Sequence, residues 1–201
     1  MNYNELMKEE IKKIPEGTKL LLHACCAPCS SACLERVANF FAVTIFYYNP
    51  NITDEEEYNK RLEEVKNFVP KLKTKYPITV LPGRYNPKEF FEISRGLEEE
   101  PERGKRCYKC YTLRLEETAK VASELNYPYF ATTLTLSPYK NSIWLNEIGE
   151  NLNNKYTSNY LYSDFKKENG YKRSIELSKE YNLYRQDYCG CIYSKRDKMQ
   201  E

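Results

Sequence analysis

Eight of the 201 residues are cysteine, and they fall into three groups: Cys25, Cys26, Cys29 and Cys33; Cys107 and Cys110; Cys189 and Cys191. Thiols at this density in a reducing compartment read as metal ligands or catalytic groups rather than structural disulfides. Cys107 and Cys110 are three apart, so at a helix start they point to one side, where free N–H groups and the helix dipole favour thiolate. Cys25 and Cys26 precede a helix in a strand-to-helix turn, where neighbouring residues can aim at one centre. Together these offer four thiolates, the set a [4Fe–4S] cluster takes. A structural zinc is the competing reading, since Cys26-x2-Cys29 with Cys107-x2-Cys110 also satisfies it. An adjacent cysteine pair is unnecessary for a zinc ribbon, and a chain of this size folds without a metal staple; both features favour the cluster. Cys29 stays open between cluster, second metal and spectator. Cys33 shares a helix with Val37 and Phe40 and reads as a buried small hydrophobe. Cys189-Gly190-Cys191 can close a small, strained, easily reduced disulfide, a redox-active pair, or supply two more metal ligands.

His23 is the only histidine, which excludes a His-rich zinc or non-haem iron site. It sits beside the cysteine turn, as a proton donor or partner to a cluster sulfur, or as an ordinary structural residue. The segment Thr132-Thr133-Leu134-Thr135-Leu136-Ser137-Pro138-Tyr139-Lys140-Asn141 places Ser137, Tyr139, Lys140 and Asn141 as candidates for binding a phosphate or a polar ring. Alternatively, Ser137 before Pro138 is a helix cap and Lys140 a solvated charge.

Several elements must position these groups. Residues 19–23 (KLLLH), 42–48 (AVTIFYY), 78–81 (ITVL) and 129–134 (YFATTL) read as short apolar strands. Thr53 and Glu56 fit a capping box opening a helix with Leu62, Val65 and Val69 inward. Asn86-Pro87-Lys88-Glu89 opens another, which Gly96 stops. Residues 95–106 lack periodicity and are predicted as a mobile surface loop. A long helix over about 107–126 turns Leu113, Ala119, Ala122 and Leu125 inward; further helices carry Trp144, Leu145 and Ile148, and span about 171–182. Strands alternating with amphipathic helices imply βαβ units and a parallel, Rossmann-like α/β sheet, with ligands beyond the carboxyl ends of its strands. The pattern gives one α/β domain over 1–201, with residues 151–201 a C-terminal, helical and Tyr-rich extension packed on it and carrying the Cys-x-Cys pair.

Composition excludes several functions. The formal net charge is +2, so no global charge demands a polyanionic partner. No apolar run reaches the ~18 residues a membrane span needs, and the polar N-terminus lacks a secretory h-region; the expectation is a cytoplasmic protein with no membrane partner. There is no Gly-rich phosphate loop after the first strand, so NAD(P) and ATP are not expected and electrons must come from an external donor. From residue 151, ten basic residues face seven acidic ones with eight tyrosines interleaved. Such a surface suits a single-stranded RNA loop by charge and stacking, or is simply a solvated Lys-rich face.

HACCAPCS at 23–30, CYKC at 107–110, TTLTLSPYKN at 132–141 and DFKKENGYKRSIELSKEYNLYRQDYCGC at 164–191 together resemble the QueH-type epoxyqueuosine reductases. The resemblance covers nearly the whole chain. It implies reduction of the epoxide of epoxyqueuosine at the tRNA wobble position to queuosine, the last step of queuosine biosynthesis, without cobalamin. It further implies Cys25, Cys26, Cys107 and Cys110 as [4Fe–4S] ligands, Cys189 and Cys191 as a redox-active pair, the tRNA anticodon loop as partner, and a sheet related to the nucleotide alpha-hydrolase (PP-loop-like) fold. An additional iron could be held by remaining thiolates such as Cys29. His23, Asp164 or a tyrosine are the candidates for protonating the leaving oxygen. RNA contacts are expected in the 95–106 loop and around Lys166, Lys167, Lys172 and Arg173. The competing functions are a zinc-stabilised tRNA-binding module, an iron–sulfur tRNA thiolase and a thiol-redox protein acting through Cys189 and Cys191 alone.

Overall fold

The computed structural model describes residues 1–199. Among these, five strands form one all-parallel sheet in the order β3-β2-β1-β4-β5, comprising β1 (Lys19–His23), β2 (Ala42–Tyr47), β3 (Thr79–Pro82), β4 (Tyr129–Thr132) and β5 (Asn159–Tyr160). β1 is central, with Leu22 opposite Ile45 of β2 and Ala131 of β4. Alternation along a strand sends successive side chains to opposite faces. Leu20 and Leu22 accordingly join the core under α2 (Ala27–Val37), α3 (Glu55–Phe68) and α7 (Gly170–Glu180), with Leu34, Val65 and Leu177. Leu21 joins Leu115, Ala119, Leu145 and Ile148 of α5 (Lys105–Glu124) and α6 (Ser142–Leu152) on the other face. The remaining helices are α1 (Tyr3–Ile11), α4 (Pro87–Ser94) and α8 (Ile192–Lys198).

This strand order has one functional consequence. The chain leaves β1 toward β2 and β3 on one side, then returns to lay β4 on the other. The connections after β1 and β4 diverge, and the crevice between them is where such sheets bind ligands. The cysteine turn follows β1 directly.

Several local expectations shift. Asp54, not Thr53, caps α3: its carboxylate accepts from the N–H groups of Glu56 (3.0 Å) and Glu57 (3.2 Å), while Thr53 N–H donates to Gly190 O. Asn141, not Ser137, caps α6, accepting from Ile143 and Trp144 N–H. The fourth strand stops at Thr132, whose hydroxyl accepts from Leu134 N–H and starts a 3-10 turn over 133–136. Leu125 ends α5 on the surface and Leu113 is only half buried; Tyr111 and Leu115 face the sheet instead. Residues 95–106 are pinned rather than loose. Arg106 is buried, and its Nη1 donates to the carbonyls of Leu97, Glu98 and Glu100 at 2.6–2.9 Å. β5, two residues long, is too short to leave a periodic signal.

Candidate active site

The turn after β1 builds the first thiol group. Cys26 has extended backbone (φ −170°) and Pro28 sits in the first turn of α2, so the chain reverses sharply into the helix. The Sγ atoms of Cys25, Cys26 and Cys29 all lie within 4.8 Å of one another, with Cys25 and Cys26 3.7 Å apart. The triad could hold a metal ion. Hydrogen bonds from Cys26 and Cys29 hold the Cys25 thiol well below its usual range, against burial and with help from Arg114. Sharing that charge pushes Cys26 up to about 12 and Cys29 well up. Cys33 is fully buried in the core and burial raises its thiol, as a small hydrophobe behaves.

The second group comes from two distant segments. Cys107 and Cys110 lie in the first turns of α5, and Arg103 N–H donates to Cys107 Sγ at 3.3 Å. Cys189 and Cys191 flank Gly190, whose φ of +109° favours glycine; a Cβ there would sit 2.8 Å from Ile52 Cγ1. The segment is tied down by Thr53 N–H to Gly190 O and by Arg61 Nη1 to Cys189 O (3.3 Å). Cys191 caps α8, its sulfur accepting from Ser194 N–H. All four thiols line one small cavity of about 20 Å³ together with Asn51, Glu102 and Lys140. Burial pushes Cys110 and Cys191 up to about 12.

A larger cavity of about 700 Å³ joins the two groups. Cys25, Cys29 and Cys189 all line it, with Arg114 and Lys140, and the C-terminal residues Arg185 to Cys189 form one wall. Lys140 Nζ lies 3.1 Å from Cys189 Sγ and 3.2 Å from Glu102 Oε1. Burial works against its charge, but Cys189, Tyr111 and Glu102 hold the ammonium well above its ordinary value.

Arg114 lies between the groups. It is on the face of α5 that carries Cys107 and Cys110, at i+7 and i+4. Its Nη2 donates to Asn49 Oδ1 (2.6 Å) and its Nε lies 3.3 Å from His23 Nε2. Arg114 shares the large cavity with Cys25, and Cys110 lies one turn earlier on its own helix. Burial opposes the Arg114 charge, and the thiols of Cys110, Cys25 and Cys189 more than offset it.

The remaining predicted residues divide. Ser137, Tyr139 and Lys140 line the large cavity, whereas the Asn141 side chain is committed to capping α6. His23 is fully buried; its Nδ1 meets Thr132 Oγ1 and its Nε2 the Tyr48 carbonyl. Burial and Arg114 lower it to about 3, so it stays neutral. Asp164 is buried against Lys166 (2.6 Å) and lines neither cavity. Lys166 is thereby occupied, and Arg173 is paired with Glu35, leaving Lys167 and Lys172 as the cations of the expected RNA patch with no carboxylate partner among the described residues. Sequence reasoning missed Arg114, Asn49 and Glu102. For Arg114 a signal existed in its spacing from Cys107 and Cys110; for the other two there was none.

The family profile described as "Epoxyqueuosine reductase QueH" matches residues 20–197. The chain is 44% identical to "Epoxyqueuosine reductase QueH" of Streptococcus pyogenes serotype M1, over 98% of this chain and 79% of that protein. It is 41% identical to the protein of the same name from Staphylococcus epidermidis, covering 96% and 84% of the two chains, and 34% identical to that of Thermotoga maritima, covering 87% and 89%. By sequence match over nearly its full length, joined to the thiol groups gathered at the switch point of its sheet, this chain belongs to the epoxyqueuosine reductase QueH family.

Proposed function

We propose that this protein reduces the epoxide of epoxyqueuosine in tRNA to the alkene of queuosine, in the cytoplasm. The observation that carries the reading is the meeting of thiols from three chain segments on one crevice, beside a cavity wide enough for a nucleoside. The balance is epoxide plus two electrons and two protons giving alkene and water. The donor set suits iron: Cys25, Cys26, Cys107 and Cys110 would hold a [4Fe–4S] cluster, which when bound supplies electrons one at a time from an external donor. Cys29, within 4.8 Å of Cys25 and Cys26, is a further thiolate beside that set and would be free to ligate an additional iron.

The protein's own groups then do the following. The Cys189/Cys191 dithiol would supply both electrons and both protons of the reduction in closing to a disulfide, and the external donor would reopen that disulfide with two electrons passed one at a time. Lys140 faces Cys189 and the cavity, and its ammonium is placed to give a proton to the departing oxygen; Glu102 holds it in that position. His23, neutral and sealed, positions Arg114 rather than donating a proton. Tyr139, Tyr171 and Tyr188 line the cavity as platforms for a base withdrawn from the anticodon stack.

The test is anaerobic turnover of tRNA bearing epoxyqueuosine, with iron and acid-labile sulfide counted in the same preparation. Queuosine formed in proportion to iron content supports the reading. An iron-free preparation that converts substrate at full rate overturns it, and a colourless, zinc-bearing, inactive protein points to the binding module.

A further inference from the structure

Among the described residues, three arginines are essentially fully buried: Arg61, Arg106 and Arg114. A guanidinium cannot shed its proton, so each needs a compensating negative charge or dipole. Arg61 has one in Glu57, 2.6 Å away. Arg106 has three convergent backbone carbonyls, those of Leu97, Glu98 and Glu100. Arg114 has neither. No carboxylate among the described residues lies within 4.0 Å of it, and the side chains it meets are the His23 imidazole and the Asn49 amide. The amide is itself held in place, since Asn49 Nδ2 donates to Ala24 O at 2.9 Å. These props fix the guanidinium without neutralising it. What it faces instead is the cavity wall shared with Cys25, and Cys110 one turn earlier on its own helix.

We propose that Arg114 is the fixed counter-charge for the anionic, thiolate-bound centre, with Asn49 and His23 as the positioning residues that hold it there. A buried cation with no carboxylate partner is costly until an anion is assembled beside it. Arg114 therefore makes gathering thiolates at Cys25 and Cys110 more favourable, and it favours the more negative, reduced state of whatever those thiolates hold. The inference rests on the proposed iron–sulfur reading, but its test requires neither tRNA nor turnover.

Asn49→Asp supplies the missing carboxylate with almost no change of shape and leaves Arg114 and every cysteine in place. Arg114→Lys keeps the charge, and Arg114→Gln removes it. Each variant is reconstituted anaerobically beside the wild type. Iron and sulfide per chain and the midpoint potential of the bound centre are measured, and circular dichroism of the chelated protein reports folding. The expected result is that Asn49→Asp and Arg114→Gln hold several-fold less iron at limiting supply and shift the potential negative, while Arg114→Lys restores most of both. If Arg114→Gln fails to fold, Asn49→Asp decides alone. Wild-type iron content and potential in folded Asn49→Asp overturn the proposal and leave the reductase reading intact. A wild-type protein that takes up no iron overturns the reductase reading itself.

Discussion

Lys140 Nζ donates to Cys189 Sγ across 3.1 Å, from a side chain that is only 9% exposed. The two residues are 49 apart in sequence and belong to different walls of the crevice. The contact makes the Cys-x-Cys pair unsymmetrical: Cys189 opens on the large cavity beside a cation, whereas Cys191 is buried at the start of α8.

That asymmetry predicts different reactivity. In the metal-free protein under argon, iodoacetamide should modify Cys189 well before Cys191. Lys140→Met removes the cation beside the sulfur and should slow Cys189 alkylation while leaving Cys191 unchanged. Site-resolved mass spectrometry over a time course reads both. Equal rates for the two cysteines would contradict the arrangement.

The thiol assignments make separate predictions. Cys107→Ala or Cys110→Ala should abolish both iron colour and turnover. Cys189→Ser should keep the colour and stop turnover; if it loses iron instead, the C-terminal pair ligates metal. Cys29→Ala should keep the cluster colour but lower the iron count relative to sulfide, as Mössbauer spectroscopy would show.

Thiol protonation gives a pH dependence. Burial raises Cys110 and Cys191 to about 12 in the folded chain, above the ~8.5 of a free cysteine. A raised acid pKa stabilises the folded state below the unfolded pKa, and that contribution is lost as pH rises toward the folded value. The metal-free protein should therefore melt at a lower temperature at pH 10 than at pH 7. Iron uptake should run the other way and improve with rising pH, because each ligating thiol must release its proton.

The 95–106 segment depends on one buried side chain. Arg106→Met forfeits three carbonyl hydrogen bonds and leaves those acceptors unpaired, a loss of about 3 kcal/mol or more. For a chain of this size that lowers Tm by roughly 6–12 °C, measurable by calorimetry. It should also weaken iron retention, since Gly104 and Arg103 lead directly into the turn carrying Cys107.

RNA binding should depend on the unpaired cations rather than on all four residues of the C-terminal patch. Lys167→Glu with Lys172→Glu should raise the KM for tRNA by about tenfold and flatten its salt dependence. Reversal at Arg173 breaks its pair with Glu35 and should act mainly on stability. An unchanged KM in the double variant removes this patch from the interface.

The sequence by itself determined the α/β class, the first strand, the turn that carries Cys25 and Cys26, and the placement of Cys107 and Cys110 at a helix start. Those features are local: strand alternation, helical spacing and the strand-to-helix turn act within a few residues, so residue types alone declare them. Only the tertiary structure decided that Cys189 and Cys191 close on Cys107 and Cys110, that Cys29 joins Cys25 and Cys26, and that Arg114 stands between the groups without a carboxylate. These contacts join residues far apart in the chain, such as Arg114 and His23, which are 91 residues apart. They follow from how α5 and the C-terminal segment dock on the sheet, and burial and charge balance at such a junction belong to the packed whole.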